Sequence, residues 1–233
     1  MKTNPGKIFG LGILCILLCF STGCSIVKNP KANNTKIMLW NGKDLTGWKV
    51  VPEEAVTRNT WFVKDGNLCS LGTPNGYIRT EKKYSNYHLH VEWRWPANAS
   101  VGRSRNSGVF INASEPDKVW PKVIECQLMA GEAGQFVLIN GTGMTVNGQN
   151  MQNPNRQFVG IPKKEQSSEK PAGQWNSYDI YCEGDTIKCY VNDVLQNEGS
   201  DVTPDSGFIC LQSEGSPVKF RNIFIETIKK EEQ

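Results

Sequence analysis

The stretch Tyr87–Trp95, YHLHVEWRW, alternates apolar and polar residues almost from end to end. Period-two alternation sets successive side chains on opposite faces of an extended chain. Leu89, Val91, Trp93 and Trp95 therefore share one face, and His88, His90, Glu92 and Arg94 share the other. The stretch reads as a strand buried on one side. Residues 123–128, VIECQL, repeat the rhythm: Ile124, Cys126 and Leu128 form the apolar face, and Glu125 and Gln127 point the opposite way.

Turn chemistry extends the reading in both directions. WFVKDGNLCSL carries an Asp-Gly pair between two β-rich runs, and YDIYCEGDTIKCYVND turns at Gly184-Asp185. Both are hairpin signals. SGVFIN, QFVLIN, GFICLQ and VKFRNIFIETI are further short runs bounded by Gly, Asn or Pro. No segment shows sustained helical periodicity with caps. Many short strands with Gly-rich turns predict an all-β sandwich or jelly roll. Residues 140–173 are polar, contain three prolines and are read as one long loop.

The first 36 of the 233 residues are expected to lie outside the fold. Lys2 and Lys7 precede an apolar run of about 13 residues, too short to span a bilayer comfortably. STGC follows, with Cys24 directly after Gly23. Residues 1–23 thus resemble a bacterial lipoprotein signal, with Cys24 as the lipid-bearing residue. Residues 24–36 read as a polar tether, and 37–228 as one domain. The expected location is a bacterial cell envelope, at the periplasmic or outer-membrane surface. Lys and Arg are scattered without interleaved aromatics, which argues against nucleic acid. Of eight cysteines, five lie in the domain, an odd number with no C-x-x-C pair. They are read as small buried hydrophobes rather than a disulfide framework or zinc site.

An antiparallel sheet normally keeps one face in water, so each polar residue taken singly reads as a surface residue. Together, His90, Glu92, Arg94, Glu125 and Gln127 form a set of imidazole, acid, guanidinium and amide groups on two strands. If those strands are neighbours on a concave sheet, they line a groove suited to a polyhydroxylated ligand. Arg103, Arg105 and Asn106 precede a strand and are expected to overhang the same groove.

The pieces LWNGKDLTGW, WFVKDGNL, GYIRTEKKYSNYHLHVEWRW, NSGVFI, VIECQL, AGQWNSYDIYCEGDTIKCYVND and GFICLQSEGSPVKFRNIFI occur in that order. In this order they resemble the bacterial 3-keto-disaccharide hydrolase family, over roughly residues 38–228. The resemblance implies a concanavalin A-like jelly roll of two antiparallel sheets and a substrate whose sugar ring is oxidised at C3. A ketone at C3 acidifies the C2 proton. Its removal gives an enolate that expels the leaving group at C1, and water then adds back. That route needs a base, donors for the enolate oxygen and an acid for the leaving oxygen.

Carried over residue by residue, the resemblance marks Asn106 in NSG, Glu125 and Gln127 in E-x-Q, Arg94 in E-W-R, and Gln212 and Glu214 in LQSEG. Two departures stand out. Cys189 and the run Ser213-Glu214-Gly215 occupy places where many relatives carry a histidine and D-H-G. Glu214 thereby becomes a carboxylate able to serve as acid, base or metal ligand. The expected roles are Glu125 as base, held ionised by Arg94, with Glu214 as the second catalytic carboxylate. His90, Glu92, Arg94, Asn106, Gln127 and Gln212 are expected to bind substrate. A divalent metal is a candidate cofactor, with Glu125, Glu214 and His90 as potential ligands.

Two functions from different classes fit this reading: an enzyme cleaving oxidised glycosides, and a non-catalytic carbohydrate-binding module on a lipid anchor. A third, an endoglucanase of the same fold, needs acid-x-acid-x-x-acid on one strand. IECQLM offers one carboxylate there, which argues against it.

Overall fold

The computed structural model describes residue 1 and residues 34–98 and 105–229. Residues 2–23 of the predicted signal, Cys24, most of the tether, and Arg103 lie outside the described residues. Two sheets make up the domain, and every pairing between its strands is antiparallel.

The ten-stranded sheet runs β11 (Gln149–Asn150), β10 (Gly143–Val146), β15 (Val194–Thr203), β14 (Thr186–Val191), β13 (Asn176–Glu183), β6 (Tyr87–Arg94), β17 (Val218–Thr227), β4 (Asn67–Ser70) and β3 (Trp61–Lys64). Its tenth strand, β1 (Lys36–Met38), also pairs with β17. The seven-stranded sheet runs β12 (Phe158–Ile161), β9 (Phe136–Ile139), β8 (Val123–Gln127), β7 (Gly108–Ala113), β16 (Phe208–Ser213), β5 (Gly76–Thr80) and β2 (Trp48–Val51). A five-residue helix, α1 (Glu53–Thr57), is the only helix among the described residues.

The alternating residues of each sheet meet in one core. Leu89, Val91 and Trp93 from β6 join Ile124, Cys126 and Leu128 from the β8 segment, all fully buried. Five of the seven tryptophans are buried. The five domain cysteines are buried and free. Turn residues take the geometry their sequence dictates: Asp65 and Gly66 both have positive φ, 53° and 74°, as a tight hairpin requires.

Two expectations are corrected. Lys36 belongs to the sheet and not to the tether, because β1 pairs it with Glu226. Residues 140–173 are not one loop but contribute β10, β11 and β12. The overlooked signal was Asn147-Gly148, whose positive φ values of 50° and 75° close the β10–β11 hairpin.

The two sheets differ on their outer faces. That of β6 is half-exposed and polar. That of the seven-stranded sheet carries a second apolar cluster, including Val51, Tyr77, Phe110, Val123, Phe208 and Cys210. This sheet is therefore buried on both sides over much of its width.

Candidate active site

The polar set expected to line one groove is divided between the sheets. β6 belongs to the ten-stranded sheet and β8 to the seven-stranded sheet. Each turns its apolar residues into the shared core, so His90, Glu92 and Arg94 face outward on one side of the sandwich and Glu125 and Gln127 on the other. The expected Arg94–Glu125 contact is ruled out by this geometry, and so is a metal held jointly by His90, Glu125 and Glu214. Arg94 instead lies over the Trp175 ring at 4.7 Å, and Arg221 stands 4.1 Å from the same ring.

Glu125, Gln127, Asn106, Gln212 and Glu214 do come together. β7 lies between β8 and β16, with Gly108 opposite Gln127 and Phe110 opposite Glu125. Asn106 forms backbone bridges to both Glu214 and Gly215, so the NSG and LQSEG motifs meet at one end of the sheet. The buried Ser107 hydroxyl ties them together by donating to the Gln212 carbonyl at 2.7 Å. Gly215 has φ 83° and its N–H donates to Gly72 O at 2.7 Å, so the turn after Glu214 favours glycine.

Gly108 makes room for the acid. A Cβ there would stand 2.4 Å from Glu125 Oε1. Glu125 is only 4% exposed, and its Oε1 has no hydrogen-bond partner among the described residues. Asn106 Oδ1 is likewise buried and unpartnered, and the buried amide of Gln212 makes no hydrogen bond of good geometry, although it lies close enough to Glu214 to act on it. Such orphaned groups are rare in native interiors, because each costs about 1–3 kcal/mol unless a partner arrives. Gathered at one end of the seven-stranded sheet, they form a candidate ligand-facing surface. Gln127 is half committed: its Oε1 accepts from Leu128 N and Met129 N at 2.9 and 2.8 Å, which leaves the NH2 as its ligand-facing end. Arg105 lies alongside, its carbonyl accepting from Ala130 N at 2.9 Å.

Electrostatics separate the two carboxyls. Burial, reinforced by the nearby charge of Glu214, pushes the Glu125 pKa well above the ordinary carboxyl value. Glu214 is raised as well, by burial, but the Gln212 side chain offsets part of that rise. Glu214 is also the more accessible of the two. A carboxyl pair pushed apart in this way divides into an acid and a base. Burial favours the protonated form of Glu125 more strongly than that of Glu214, opposite to the ionised state expected from an arginine partner.

On the other face, Glu92 is fully engaged. Arg221 Nε and Asn222 Nδ2 donate to its two oxygens at 2.6 Å each. A β-bulge between Arg221 and Phe224 turns both donors outward. Although burial alone would raise its pKa, these hydrogen bonds hold Glu92 below the ordinary value.

A family model described as "3-keto-alpha-glucoside-1,2-lyase-like domain" matches residues 35–226. A 3-keto-disaccharide hydrolase of Bacteroides thetaiotaomicron is 24% identical to this chain, covering 82% of it and 78% of the relative. A crystal structure from Parabacteroides distasonis, provisionally assigned as a glycosyl hydrolase, superposes with a TM-score of 0.59 at 22% identity. It covers 83% of this chain and 94% of its own. A Bacillus subtilis carbohydrate-binding module, CBM66, superposes with a TM-score of 0.53 at 13% identity, covering 79% and 98%. The structural likenesses establish a shared jelly-roll fold, which hosts both catalysts and binding modules. With 192 consecutive residues matched out of 233, this chain belongs to the 3-keto-alpha-glucoside-1,2-lyase-like domain family.

Proposed function

We propose that this protein cleaves the glycosidic bond of sugars carrying a ketone at C3, with Glu214 as base and Glu125 as acid. The observation that carries this reading is the pair of buried carboxyls gathered with the amides of Asn106, Gln127 and Gln212 on the outer face of the seven-stranded sheet. Family membership and the name of the Bacteroides relative support the substrate class.

In this scheme the Glu214 carboxylate takes the C2 proton, and the C2–H electrons form the enolate, with charge on the C3 oxygen. A raised pKa strengthens a carboxylate as a base near neutrality. Amide N–H groups of Asn106, Gln127 and Gln212 meet the developing oxyanion, a role that donors held in place before the reaction fill well. The enolate electrons then form C1=C2 and break the C1–O bond, and the Glu125 proton passes to the leaving oxygen. Addition of water across C1=C2 completes hydrolysis; release before that step is the lyase outcome. The chemistry needs no carboxylate pair spaced for direct displacement at C1.

The test compares 3-keto-glycosides with their unoxidised parents and follows aglycone release. Turnover of the keto substrate alone supports the proposal. Cleavage of the parents overturns the substrate class, and saturable sugar binding without turnover of either points to the binding-module reading.

We also propose that Cys24 carries a lipid and places the domain on a bacterial envelope membrane. The support is the short apolar run ending in STGC. Cys24→Ala is expected to leave the protein soluble or unprocessed. Retention of the processed variant in the membrane fraction contradicts the anchor.

A further inference from the structure

The protein has two histidines, and both converge on one oxygen atom. His88 Nε2 and His90 Nδ1 each lie 2.8 Å from Asp179 Oδ1. His88 and His90 are two apart on β6, and Asp179 sits directly opposite His90 on β13. The sheet register itself assembles the three groups on the outer face of the ten-stranded sheet. One nitrogen from each ring and the carboxylate oxygen lie within 4.8 Å of one another.

The geometry points to a binding site for a borderline divalent transition-metal ion, of the Zn²⁺ or Co²⁺ class, held by His88 Nε2, His90 Nδ1 and Asp179 Oδ1. Four features carry this beyond a hydrogen-bonded triad. The rings present different nitrogens, Nε2 and Nδ1, so that both aim at one point. Each remaining nitrogen faces a carboxylate: His88 Nδ1 is 3.6 Å from Glu226 Oε2, and His90 Nε2 is 3.8 Å from Glu92 Oε1. Metal-bound imidazoles are characteristically oriented by such an outer carboxylate, which fixes the tautomer and strengthens the ligand. The rings are also held in place. His88 stacks on Tyr181 with centroids 4.3 Å apart and planes 7° apart, and His90 stacks on Phe224 at 4.9 Å and 22°. Finally, a cleft of about 450 Å³ lined by Asp179, Tyr181, Tyr190 and Asp193 adjoins the triad and leaves room for a water or ligand at an open coordination position.

Two imidazoles and one carboxylate suit zinc and its neighbours rather than Mg²⁺ or Ca²⁺, which favour all-oxygen sets. Binding moves each proton now shared with Asp179 to the outward nitrogen beside Glu226 or Glu92, or releases it to solvent. The site is separate from Glu125 and Glu214, which lie across the sandwich.

The purified full-length protein, stripped with chelator, is titrated with Zn²⁺ by calorimetry and with Co²⁺ by visible absorption. One equivalent is expected to bind, with a Co²⁺ d–d band and a rise in thermal midpoint on adding Zn²⁺. Asp179→Asn and His90→Gln should each weaken binding by at least about 100-fold, and Glu226→Gln by about 10-fold. The Glu125→Gln/Glu214→Gln double variant should bind as the parent does. Circular dichroism checks that each variant is folded. Absence of saturable binding to the wild type by either ion, binding that survives in both His90→Gln and Asp179→Asn, or loss of binding in the double variant overturns the proposal.

Discussion

Glu92 and Glu125 arise from the same sequence pattern and end in opposite states. Each is the polar member of an alternating strand, and each has neighbours that turn into the same core. Glu92 emerges on a half-exposed face, where Arg221 and Asn222 take both its oxygens. Glu125 emerges on a face that carries a second apolar cluster, 4% exposed, with Oε1 unpartnered. Alternation tells which residues leave the core; the far side of the sheet decides what they become. A paired surface carboxylate contributes about 1 kcal/mol or less. An unpaired buried one costs stability, and a protein tolerates that where the group has work to do.

The largest effect that can break this contrast is on catalysis. Glu125→Gln keeps the shape and removes the proton donor. Turnover of a 3-keto-glycoside should fall by roughly 10²–10⁴-fold, with sugar binding preserved. Because burial already favours the neutral carboxyl, the variant should be at least as stable as the parent near neutral pH. Equal turnover by the two proteins removes Glu125 from the mechanism.

Gly108→Ala asks whether the position of Glu125 matters as well as its identity. The new Cβ would fall 2.4 Å from Oε1, so the carboxyl must shift within a buried site. A displacement of this kind should cost about 10² in turnover. A fully active Gly108→Ala variant indicates that the carboxyl has slack and is not a positioned acid.

The architecture was largely legible beforehand because it rests on local signals. Alternation identified β6 and β8, and Asp65-Gly66 and Gly184-Asp185 identified two hairpins. Asn147-Gly148 is an equally local signal, obscured by the polar and proline-containing run around it. The site was legible only in part. Glu125, Gln127, Asn106, Gln212 and Glu214 are brought together, whereas His90, Glu92 and Arg94 stand across the sandwich. Sheet membership is a long-range property: β6 pairs with β13 and β17, each distant in the chain, and nothing within YHLHVEWRW indicates which sheet it joins. The convergence of His88 and His90 on Asp179 was not legible for the same reason, since it depends on the β6–β13 register.

Proton linkage gives the comparison a sign. Unfolded, both carboxyls titrate near 4.5. Native Glu125 keeps its proton above that value while the unfolded chain loses it, so stability falls as pH rises above about 4.5, by up to about 1.4 kcal/mol per unit. Native Glu92 stays ionised below 4.5 while the unfolded chain gains a proton, so its contribution disappears as pH falls. Denaturant midpoints from about pH 3 to 8 should therefore show Glu125→Gln flattening the alkaline-side decline and Glu92→Gln flattening the acid-side decline. Identical profiles for the two variants would show that the two faces do not differ as described.

Arg94→Ala is the smallest effect and the sharpest test of which face reacts. The resemblance to known relatives nominates Arg94 for the substrate site, yet the fold sets its guanidinium over Trp175 on the face opposite Glu125. Arg221 lies over the same ring at 4.1 Å, so Trp175 keeps one cationic neighbour when Arg94 is removed. The lost cation–π contact, on a partly exposed surface, should cost about 0.5–1 kcal/mol. Turnover should change by no more than the equivalent of about 0.5 kcal/mol, as for surface substitutions remote from a site. A fall approaching that of Glu125→Gln would place the reacting sugar on the ten-stranded sheet. Glu125 would then be a buried acid without a substrate, and its orphaned oxygen would need another explanation.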